Sequence, residues 1–330
     1  MSALVTGATG FIGGHLVPKL LERGYKVRCL VRGASALEKL DGLDVEFFPG
    51  DLSDSKSLGR AVRGMDYVFH LAGLTKTGKS RQFYDVNARG TENLVGAVLK
   101  ENPGVKKFVY LSSHAAAGPS FNGGLLTEEK EPHPVSHYGR SKLMGEKAVL
   151  DAGGRIPVVV LRPTAVYGPG DRDLYLFFKA IKKGIFPYWG AGRYSLLYVE
   201  DLVEGIIKAA EAAPAAQGKV FFLSDGNIYT NREIAEAIAG ALSEKGGPGK
   251  KRGPLKLPLP RFLLSAAAAF SALAGKDSGI INRDKLREMG FPNWCCDPGR
   301  AVREIGFLPK ITLKEGAKWT VNWYRIHQWL

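Results

Sequence analysis

Short apolar runs alternate with amphipathic segments along the first half of the chain. The run Val158–Leu161 is apolar at every position, which is typical of a parallel strand buried on both faces. The segments between such runs place leucines and valines at helical spacing. The pattern predicts strands at Ala3–Thr6, Lys26–Val31, Val45–Phe48, Tyr67–Leu71, Lys107–Leu111 and Val158–Leu161, and helices at Gly14–Arg23, Asp85–Lys100 and Tyr138–Asp151. This alternation predicts an α/β fold with a doubly wound parallel sheet and helices on both faces.

The alternation of strands and helices is interrupted after Pro163, where a stretch rich in Gly and Pro precedes a second alternation of strands and helices. Strands are predicted at Leu196–Val199 and Val220–Leu223, and helices at Leu174–Lys183, Asp201–Ala213, Asn231–Ser243, Phe262–Ala274, Asp284–Met289, Pro298–Ile305 and Leu313–Trp329. Gly246–Pro260 lacks periodicity and is interpreted as a surface loop. We expect one domain from residues 1–165 plus about 196–226, and a smaller, mostly helical C-terminal domain from 166–195 plus about 227–330.

Glycines follow the first predicted strand in the stretch Thr6-Gly-Ala-Thr-Gly-Phe-Ile-Gly13. Gly7 permits a tight turn, Gly10 lets the backbone approach a pyrophosphate, and Gly13 lets the helix lie close to the strand. Exposed amides at the positive end of that helix make an anion site. The context predicts a Rossmann-type dinucleotide site, with contacts from Gly7, Thr9, Gly10, Phe11, Ile12 and Gly13.

The end of the second strand bears on the choice of nucleotide. A carboxylate at this place would bind the ribose 2′-hydroxyl of NAD, but the chain has Leu30-Val-Arg32 instead. The guanidinium of Arg32 could pair with a 2′-phosphate, and the alternative is an arginine that stacks on adenine or faces water. The pattern favours NADP(H) and leaves NAD(H) open.

Composition narrows the class of protein. The 330 residues are 45% hydrophobic and 24% charged, as in a globular chain with a large core, and no apolar run is long enough to span a membrane. The chain has three cysteines, and two of them, Cys295 and Cys296, are adjacent, which favours a reduced cytoplasmic protein. The adjacent pair lacks the further cysteines or histidines of a zinc site, so no metal is predicted. No secretory leader is recognised at the start of the sequence.

The net charge is +14, and from Ala241 to the end 16 Lys/Arg face 7 Asp/Glu. A solvated basic face is the favoured interpretation of this surplus. Contact of the Phe262–Ala274 helix and the neighbouring Lys250–Arg252 with a membrane surface is the weaker alternative. No nucleic-acid motif accompanies the charge, so no nucleic-acid partner is expected.

Eight short motifs in this order resemble the extended short-chain dehydrogenase/reductase family of epimerases, dehydratases, hydroxysteroid dehydrogenases and ketoreductases. Besides the glycine turn, they are Gly50-Asp-Leu52, His70-Leu-Ala-Gly73, Val86-Asn-Ala-Arg-Gly-Thr91, Leu111-Ser-Ser113, Tyr138-Gly-Arg-Ser-Lys142, Leu161-Arg-Pro163 with Val166-Tyr-Gly-Pro169, and Tyr198-Val-Glu-Asp-Leu202. The resemblance covers most of the chain. It implies further cofactor contacts at Asp51, Leu52, Leu71, Ala72, Gly73, Tyr138, Lys142, Pro163 and Val166.

The same resemblance implies that Ser113, Tyr138 and Lys142 are catalytic. Tyr138 and Lys142 are four residues apart and share one helix face. A free tyrosine has a pKa of about 10, so a nearby ammonium is needed to stabilise its phenolate at neutral pH. Ser113 would bind and orient the substrate oxygen. Asn87 would either order a relay water behind the site or only pack its helix.

Departures from the family pattern narrow the substrate. His114 stands where 4,6-dehydratases carry a carboxylate. A histidine there could act as an acid or base, but a packed side chain is the more frequent role. Ala165 replaces the asparagine that holds sugar nucleotides, and Ser195 stands where a pyrophosphate-binding arginine is expected, with Arg193 displaced. These departures favour an apolar or small substrate. Its wall is expected from Phe177, Phe178, Ile185, Phe186, Tyr188 and Trp189, for which ordinary core packing is the alternative.

We therefore expect an NAD(P)(H)-dependent oxidoreductase that interconverts a secondary alcohol and a ketone. An epimerase that recycles its cofactor within each turnover is the main alternative. A regulatory module without catalysis is disfavoured because the acid–base set is intact. The helices Asp85–Lys100 and Tyr138–Asp151 carry surplus apolar residues and, by the resemblance, would pair two subunits into a homodimer.

Overall fold

In this computed structural model, residues 1–33, 37–188, 190–243, 255–258 and 283–330 are described. The strands are β1 Ser2–Thr6, β2 Lys26–Val31, β3 Val45–Pro49, β4 Tyr67–His70, β5 Lys107–Leu111, β6 Val158–Pro163, β7 Ala165–Tyr167, β8 Ile185–Tyr188, β9 Arg193–Tyr194, β10 Leu196–Tyr198, β11 Lys219–Leu223, β12 Tyr229–Thr230, β13 Leu255–Pro258 and β14 Asn293–Trp294.

The helices are α1 Gly13–Glu22, α2 Ser55–Val62, α3 Ser80–Phe83, α4 Gly90–Glu101, α5 His114–Ala117, α6 His137–Asp151, α7 Tyr175–Lys182, α8 Val199–Glu211, α9 Asn231–Ser243, α10 Arg283–Met289, α11 Gly299–Ile305 and α12 Leu313–Ile326. A π-helical segment, Tyr84–Arg89, joins α3 to α4. None of the helices within the described ranges has the length and apolar character needed to cross a bilayer.

Seven parallel strands form the main sheet, in the order β11-β6-β5-β4-β1-β2-β3. Successive side chains of each strand enter opposite cores, so Val5 packs with α1 and α8, whereas Leu4 packs with α2 and α4. Burying one leucine in such a core contributes roughly 1.5–3 kcal/mol. The predicted doubly wound parallel sheet is confirmed, and β11 forms its edge strand next to β6.

The strand order reverses at β1, because β2 and β3 lie on one side of it and β4 on the other. Ligands of open α/β sheets bind in the crevice at the carboxyl ends of the strands at such a point. The crevice here is bounded by the residues that follow Thr6 and His70, which are paired in the β1–β4 register.

The smaller part of the structure consists of short strand pairs and helices. β7 pairs with β10, β9 lies between β12 and β14, and α7, α9 and α12 share an apolar core. The prediction that all of Gly246–Pro260 is loop is wrong for Leu255–Pro258, which pairs in parallel with β8. A strand of four residues is held by its partner and leaves no periodic signal in the sequence. The predicted helix Phe262–Ala274 lies outside the described residues.

Candidate active site

The backbone of the glycine turn after β1 packs tightly against the residues that follow β4. Gly7 has a φ of +73°, and a Cβ at this residue would lie 2.7 Å from the backbone nitrogen of Ala72. A Cβ at Gly13 would lie 2.2 Å from the carbonyl oxygen of Gly7. A Cβ at Gly10 would meet only that same oxygen, at 3.1 Å, and Gly10 is exposed. The first and third glycines therefore permit tight backbone packing, whereas the second keeps the outer face of the turn open.

The amino end of α1 fits a phosphate group. Its N-cap residue, Ile12, offers no side-chain acceptor, and the first turn carries no acidic residue. The amides of Gly14 and His15 donate to the carbonyl oxygens of Gly10 and Ile12, so the amides directly before Gly14 are the ones left to an anion, and the helix dipole favours negative charge there. Thr9, Phe11 and Ile12 are each half-buried around the turn. The residues present fit a bound dinucleotide.

Basic side chains lie beside the turn. Arg32, which follows β2, is exposed, and its charge contributes to the lowered pKa of Asp51, which is caused mainly by hydrogen bonds from Ser53. Lys39 lies nearer the turn, with its ammonium 3.4 Å from the carbonyl oxygen of Gly10. The sequence analysis missed Lys39, because nothing in its spacing connects it to the glycines.

The residues after β4 form the opposite wall of the crevice. Leu71 and Ala72 are half-buried and Gly73 is exposed. The backbone of Leu74 is held by Asn87, whose amide also donates to Ser141 Oγ at 2.9 Å. Asn87 is fully buried, and its side chain connects this wall to α6.

A buried chain of polar groups lies beneath the strand reversal. Thr6 Oγ1 is 2.7 Å from Nδ1 of His70, whose Nε2 is 2.9 Å from Oγ1 of Thr91. Burial lowers the pKa of His70 to about 3, so the imidazole is neutral. The sequence analysis included His70 only as part of a motif. Its position shows that it braces β1 and β4.

The two serines after β5 have different surroundings. Ser112 is buried and donates to Glu146 at 2.5 Å, and Glu146 also binds Arg162 through two hydrogen bonds of 2.9 and 2.6 Å. Ser113 is half-buried and caps α5 by accepting from the amide of Ala115. This arrangement favours Ser113 as the serine that meets a ligand.

Ser113 and Tyr138 both line one cavity of about 270 Å³. Burial raises the pKa of Tyr138 to about 12, and a hydrogen bond with Ser113 opposes that rise. Lys142, one turn further along α6, donates to the carbonyl oxygen of Leu111 at 2.7 Å, and its ammonium lies 4.3 Å from the ring centre of Tyr110. Burial lowers the pKa of Lys142 to about 7, against the opposing charge of Glu146.

A Cβ at Gly73 would lie 3.7 Å from Nζ of Lys142, so the lysine reaches the crevice wall behind the tyrosine. The structure therefore brings Ser113, Tyr138 and Lys142 together with the end of β4. Pro163 is buried at the end of β6, and Val166 is half-buried on β7. Leu52 packs against Gly90 instead of standing free at the edge.

The cavity wall is mostly apolar, but it differs from the predicted one. Of the predicted aromatic residues, Phe177 lines the cavity, whereas Phe178 and Phe186 are buried in the core shared by α7 and α9, as the alternative interpretation held. Trp189 and the side chain of Tyr188 lie outside the described residues. Leu174, Tyr194, Leu196, Ile234, Met289 and Trp294 complete the apolar wall.

His114 also lines the cavity, but its surroundings are those of a packed side chain. It is 4% exposed, its ring lies 5.3 Å from that of Phe222 and 5.6 Å from that of Trp294, and its Nε2 has no hydrogen-bond partner. Burial lowers its pKa to about 3, so the imidazole is neutral.

The displaced arginine makes its contact away from the cavity. Arg193 donates to the carbonyl oxygen of Gly123 on the surface and does not line the cavity, while the small side chain of Ser195 does. The sequence analysis missed Lys285 and Glu288, which line the cavity from α10 as an ion pair of 2.8 Å. No spacing pattern ties these residues to Tyr138, because the chain between them exceeds a hundred residues.

Comparisons with known proteins agree with this geometry. The model of the NAD-dependent epimerase/dehydratase family matches residues 3–223. Ceramide reductase of Caulobacter vibrioides is 32% identical over 332 residues, covering 99% of this chain and 95% of that protein. The 3β-hydroxysteroid dehydrogenase/Δ5→4-isomerase of Mycobacterium tuberculosis is 32% identical over 340 residues, covering 97% and 90%.

Among solved structures, UDP-glucose 4-epimerase of Thermotoga maritima, in complex with UDP-glucose, superimposes with a TM-score of 0.79 at 25% identity, covering 99% of this chain and all of that one. The match to the family model spans the whole parallel sheet from β1 to β11. The chain belongs to the NAD-dependent epimerase/dehydratase family and is an enzyme of the extended short-chain dehydrogenase/reductase type.

Proposed function

We propose that this enzyme interconverts a secondary alcohol and a ketone of apolar character, using NADP(H). The observation that carries the proposal is the shared cavity of Ser113 and Tyr138, with an apolar wall and the ammonium of Lys142 one helical turn away. A bound nicotinamide supplies the hydride in reduction and accepts it in oxidation.

In the direction of reduction, the hydroxyl of Tyr138 gives its proton to the carbonyl oxygen of the substrate as hydride reaches the carbonyl carbon. Ser113 donates a hydrogen bond to the same oxygen and orients it. The hydrogen bond with Ser113 and the charge of Lys285 oppose the rise in the pKa of Tyr138 that burial causes. Lys142, one helical turn away, would add positive charge behind the phenolate that remains. Oxidation of the alcohol uses the same groups in reverse.

The lining of the cavity supports a substrate of apolar character. Lys285, already paired with Glu288, is the one Lys or Arg among the described residues that line it. A nucleotide tail carries two negative charges and would need better-placed cations. The curated relatives include a ceramide reductase and a 3β-hydroxysteroid dehydrogenase, whose named substrates are largely apolar.

Arg32 and Lys39 support the preference for NADP(H). Lys39 lies beside the glycine turn, Arg32 follows β2, which pairs with β1, and β2 ends without a carboxylate. The preference predicts a lower KM for NADPH than for NADH, and replacing Arg32 by Ala should raise the KM for NADPH while leaving that for NADH nearly unchanged. Equal effects on both cofactors would instead assign Arg32 to adenine stacking.

An epimerase is the second candidate, and the likeness to UDP-glucose 4-epimerase supports it. An epimerase would retain its nicotinamide through purification and show no net change in nicotinamide absorbance during turnover. Stoichiometric consumption of NADPH with a ketone would exclude it.

The decisive variant is Tyr138→Phe, assayed by NADPH oxidation with a panel of long-chain aliphatic and 3-oxo steroid ketones. We expect turnover to fall at least a hundredfold while NADPH binding is kept, since general acid catalysis contributes about 10²–10⁴. Tyr167→Phe is the matched control, because the hydroxyl of Tyr167 is buried without a partner. Full turnover by Tyr138→Phe would refute the proposal.

The organisation of the enzyme is part of the proposal. Residues 1–165 plus about 196–226 would bind the dinucleotide, and 166–195 plus about 227–330 the substrate. Three buried free thiols accord with a cytoplasmic location. A homodimer would form through α4 and α6, where Met144 is 47% exposed. Sedimentation of a monomer at micromolar concentration would contradict the dimer.

A further inference from the structure

The first turn of α6, which carries Tyr138, is held from a distant part of the chain. The carboxylate of Asp284, on α10, accepts from the amide of His137 at 2.8 Å and from the amide of Tyr138 at 2.9 Å. The N-cap residue, Ser136, accepts from the amide of Gly139 at 2.9 Å. The amides of the first turn therefore all have side-chain acceptors, and Asp284 supplies two of them.

A second contact fixes α10 to the same turn. The hydroxyl of Ser136 donates to Glu288 at 2.8 Å, and both residues are buried. Glu288 is paired with Lys285, and the carboxylate of Asp284 lies 3.6 Å from Arg287. The carboxylate of Asp284 is only 12% exposed, so water competes weakly for its hydrogen bonds.

The same short helix forms part of the cavity wall. Lys285, Glu288 and Met289 line the cavity, together with Tyr138. A substrate that touches α10 would therefore touch the element that holds the backbone of the acid–base residue. The backbone amide of Tyr138 is one of the two atoms that Asp284 fixes, so a loss of this contact would let the phenol move relative to Ser113 and Lys142.

From these contacts we propose that Asp284 is a positioning residue, which aligns the phenol of Tyr138 by holding the first turn of α6. The inference rests on the proposed role of Tyr138. An error of about 1 Å in the placement of a reacting group can cost about a hundredfold in rate. Asp284 is not among the residues that line the cavity, and its effect is expected in kcat and not in cofactor binding.

The test compares Asp284→Ala, Asp284→Asn and Asp54→Ala with the native full-length enzyme. Asp54 is the matched control, because it caps α2 by accepting from the amide of Lys56, and α2 contributes no residue to the cavity. Single-turnover oxidation of bound NADPH by a ketone that the panel identifies gives the rate of the reduction step, and NADPH fluorescence gives its Kd.

We expect Asp284→Ala to lower the rate at least tenfold with the Kd of NADPH within twofold of the native value. Asp284→Asn should be slower than the native enzyme and faster than Asp284→Ala, because its single amide oxygen can accept from only one of the two backbone amides that the carboxylate binds. Asp54→Ala should keep its rate within twofold even if its melting temperature falls.

The inference is overturned if Asp284→Ala reduces its ketone within twofold of the native rate, if Asp284→Asn is as fast as the native enzyme, or if the rate and NADPH binding fall together. Asp284→Asn keeps the test decisive should the alanine variant fail to fold. Full turnover by Tyr138→Phe, or a panel without any reduced ketone, would refute the proposed function and this inference with it. If Tyr138→Phe loses turnover but Asp284→Ala keeps the native rate, the inference is refuted and the proposed function stands.

Discussion

Replacing Glu146 by Gln removes one charge from an ion pair that water scarcely reaches. The side chains of Arg162 and Glu146 are 4% and 1% exposed, and two hydrogen bonds join them. Glutamine keeps the shape of the side chain and an oxygen that can accept from Ser112. The substitution therefore leaves the guanidinium of Arg162 buried without a counter-charge.

The cost follows from that uncompensated charge. Breaking a buried pair by removing one partner costs about 3–5 kcal/mol of the free energy of unfolding. An unfolding entropy of about 2.1 cal/mol/K per residue over the 330 residues gives about 0.7 kcal/mol per kelvin. The melting temperature of Glu146→Gln should therefore fall by about 4–7 °C in calorimetry, and urea unfolding should show the loss of free energy directly.

A second effect should appear in the pH dependence of the rate. The charge of Glu146 raises the pKa of Lys142, which burial lowers to about 7. Without that charge the pKa falls further, so Lys142 loses its proton at lower pH. The limb of the rate profile that reports the ammonium should move toward acid in Glu146→Gln.

A double variant separates lost charge from lost packing. Arg162→Met with Glu146→Leu replaces the pair by apolar groups, which is often neutral or stabilising, so most of the lost stability should return. Ser112→Ala is added to both the single and the double variant, because the Ser112 hydroxyl donates to Glu146. A Glu146→Gln protein within 1 kcal/mol of the native one, or a double variant as unstable as the single one, would refute the reasoning.

Two further outcomes follow from the structure. Gly13→Ala should weaken NADPH binding and destabilise the fold by about 1–3 kcal/mol, because its Cβ would meet only backbone atoms. Gly14→Ala is the control and should be tolerated, because its Cβ would meet the flexible side chain of Lys39 at 3.1 Å. Equal NADPH affinities of the two variants in a fluorescence titration would contradict this prediction. The part of the stability that depends on His70 and His114 should be full above pH 6.5 and fall toward pH 3, because burial lowers the pKa of each to about 3 and only the unfolded chain takes up their protons in that window. At pH 5 the loss should be about 2 kcal/mol for each histidine, at 1.36 kcal/mol per pKa unit, and urea unfolding of His114→Phe should show about half of it.

Much of the fold was predictable from local pattern. The strands of the main sheet before Pro163 were predicted within two residues at each end, since each is a buried apolar run between polar segments. The helix expected at Asp85–Lys100 instead continues a helical stretch from Ser80 that includes the π-helical segment Tyr84–Arg89. A register change inside a helix leaves the apolar spacing nearly intact, so the pattern could not reveal it.

The short strands of the smaller part were the hardest to predict. β9, β12 and β14 have two residues each, and they pair across more than thirty residues of chain. Such strands have no periodicity of their own, and partners distant in sequence decide whether they form. The same reason explains why the aromatic wall was only partly predicted, since Phe177 and Phe178 are neighbours on α7 and face different surroundings.

The sequence by itself determined the glycine turn and the parallel sheet. It also determined the family of the chain, through short motifs such as the one that contains Tyr138 and Lys142. These depend on residues close together in the chain, where spacing fixes geometry. Only the tertiary structure decided that Ser112 joins a buried ion pair while Ser113 faces the cavity, and that α10 meets the first turn of α6. Contacts between distant segments are set by how whole elements pack, and no local pattern records that packing.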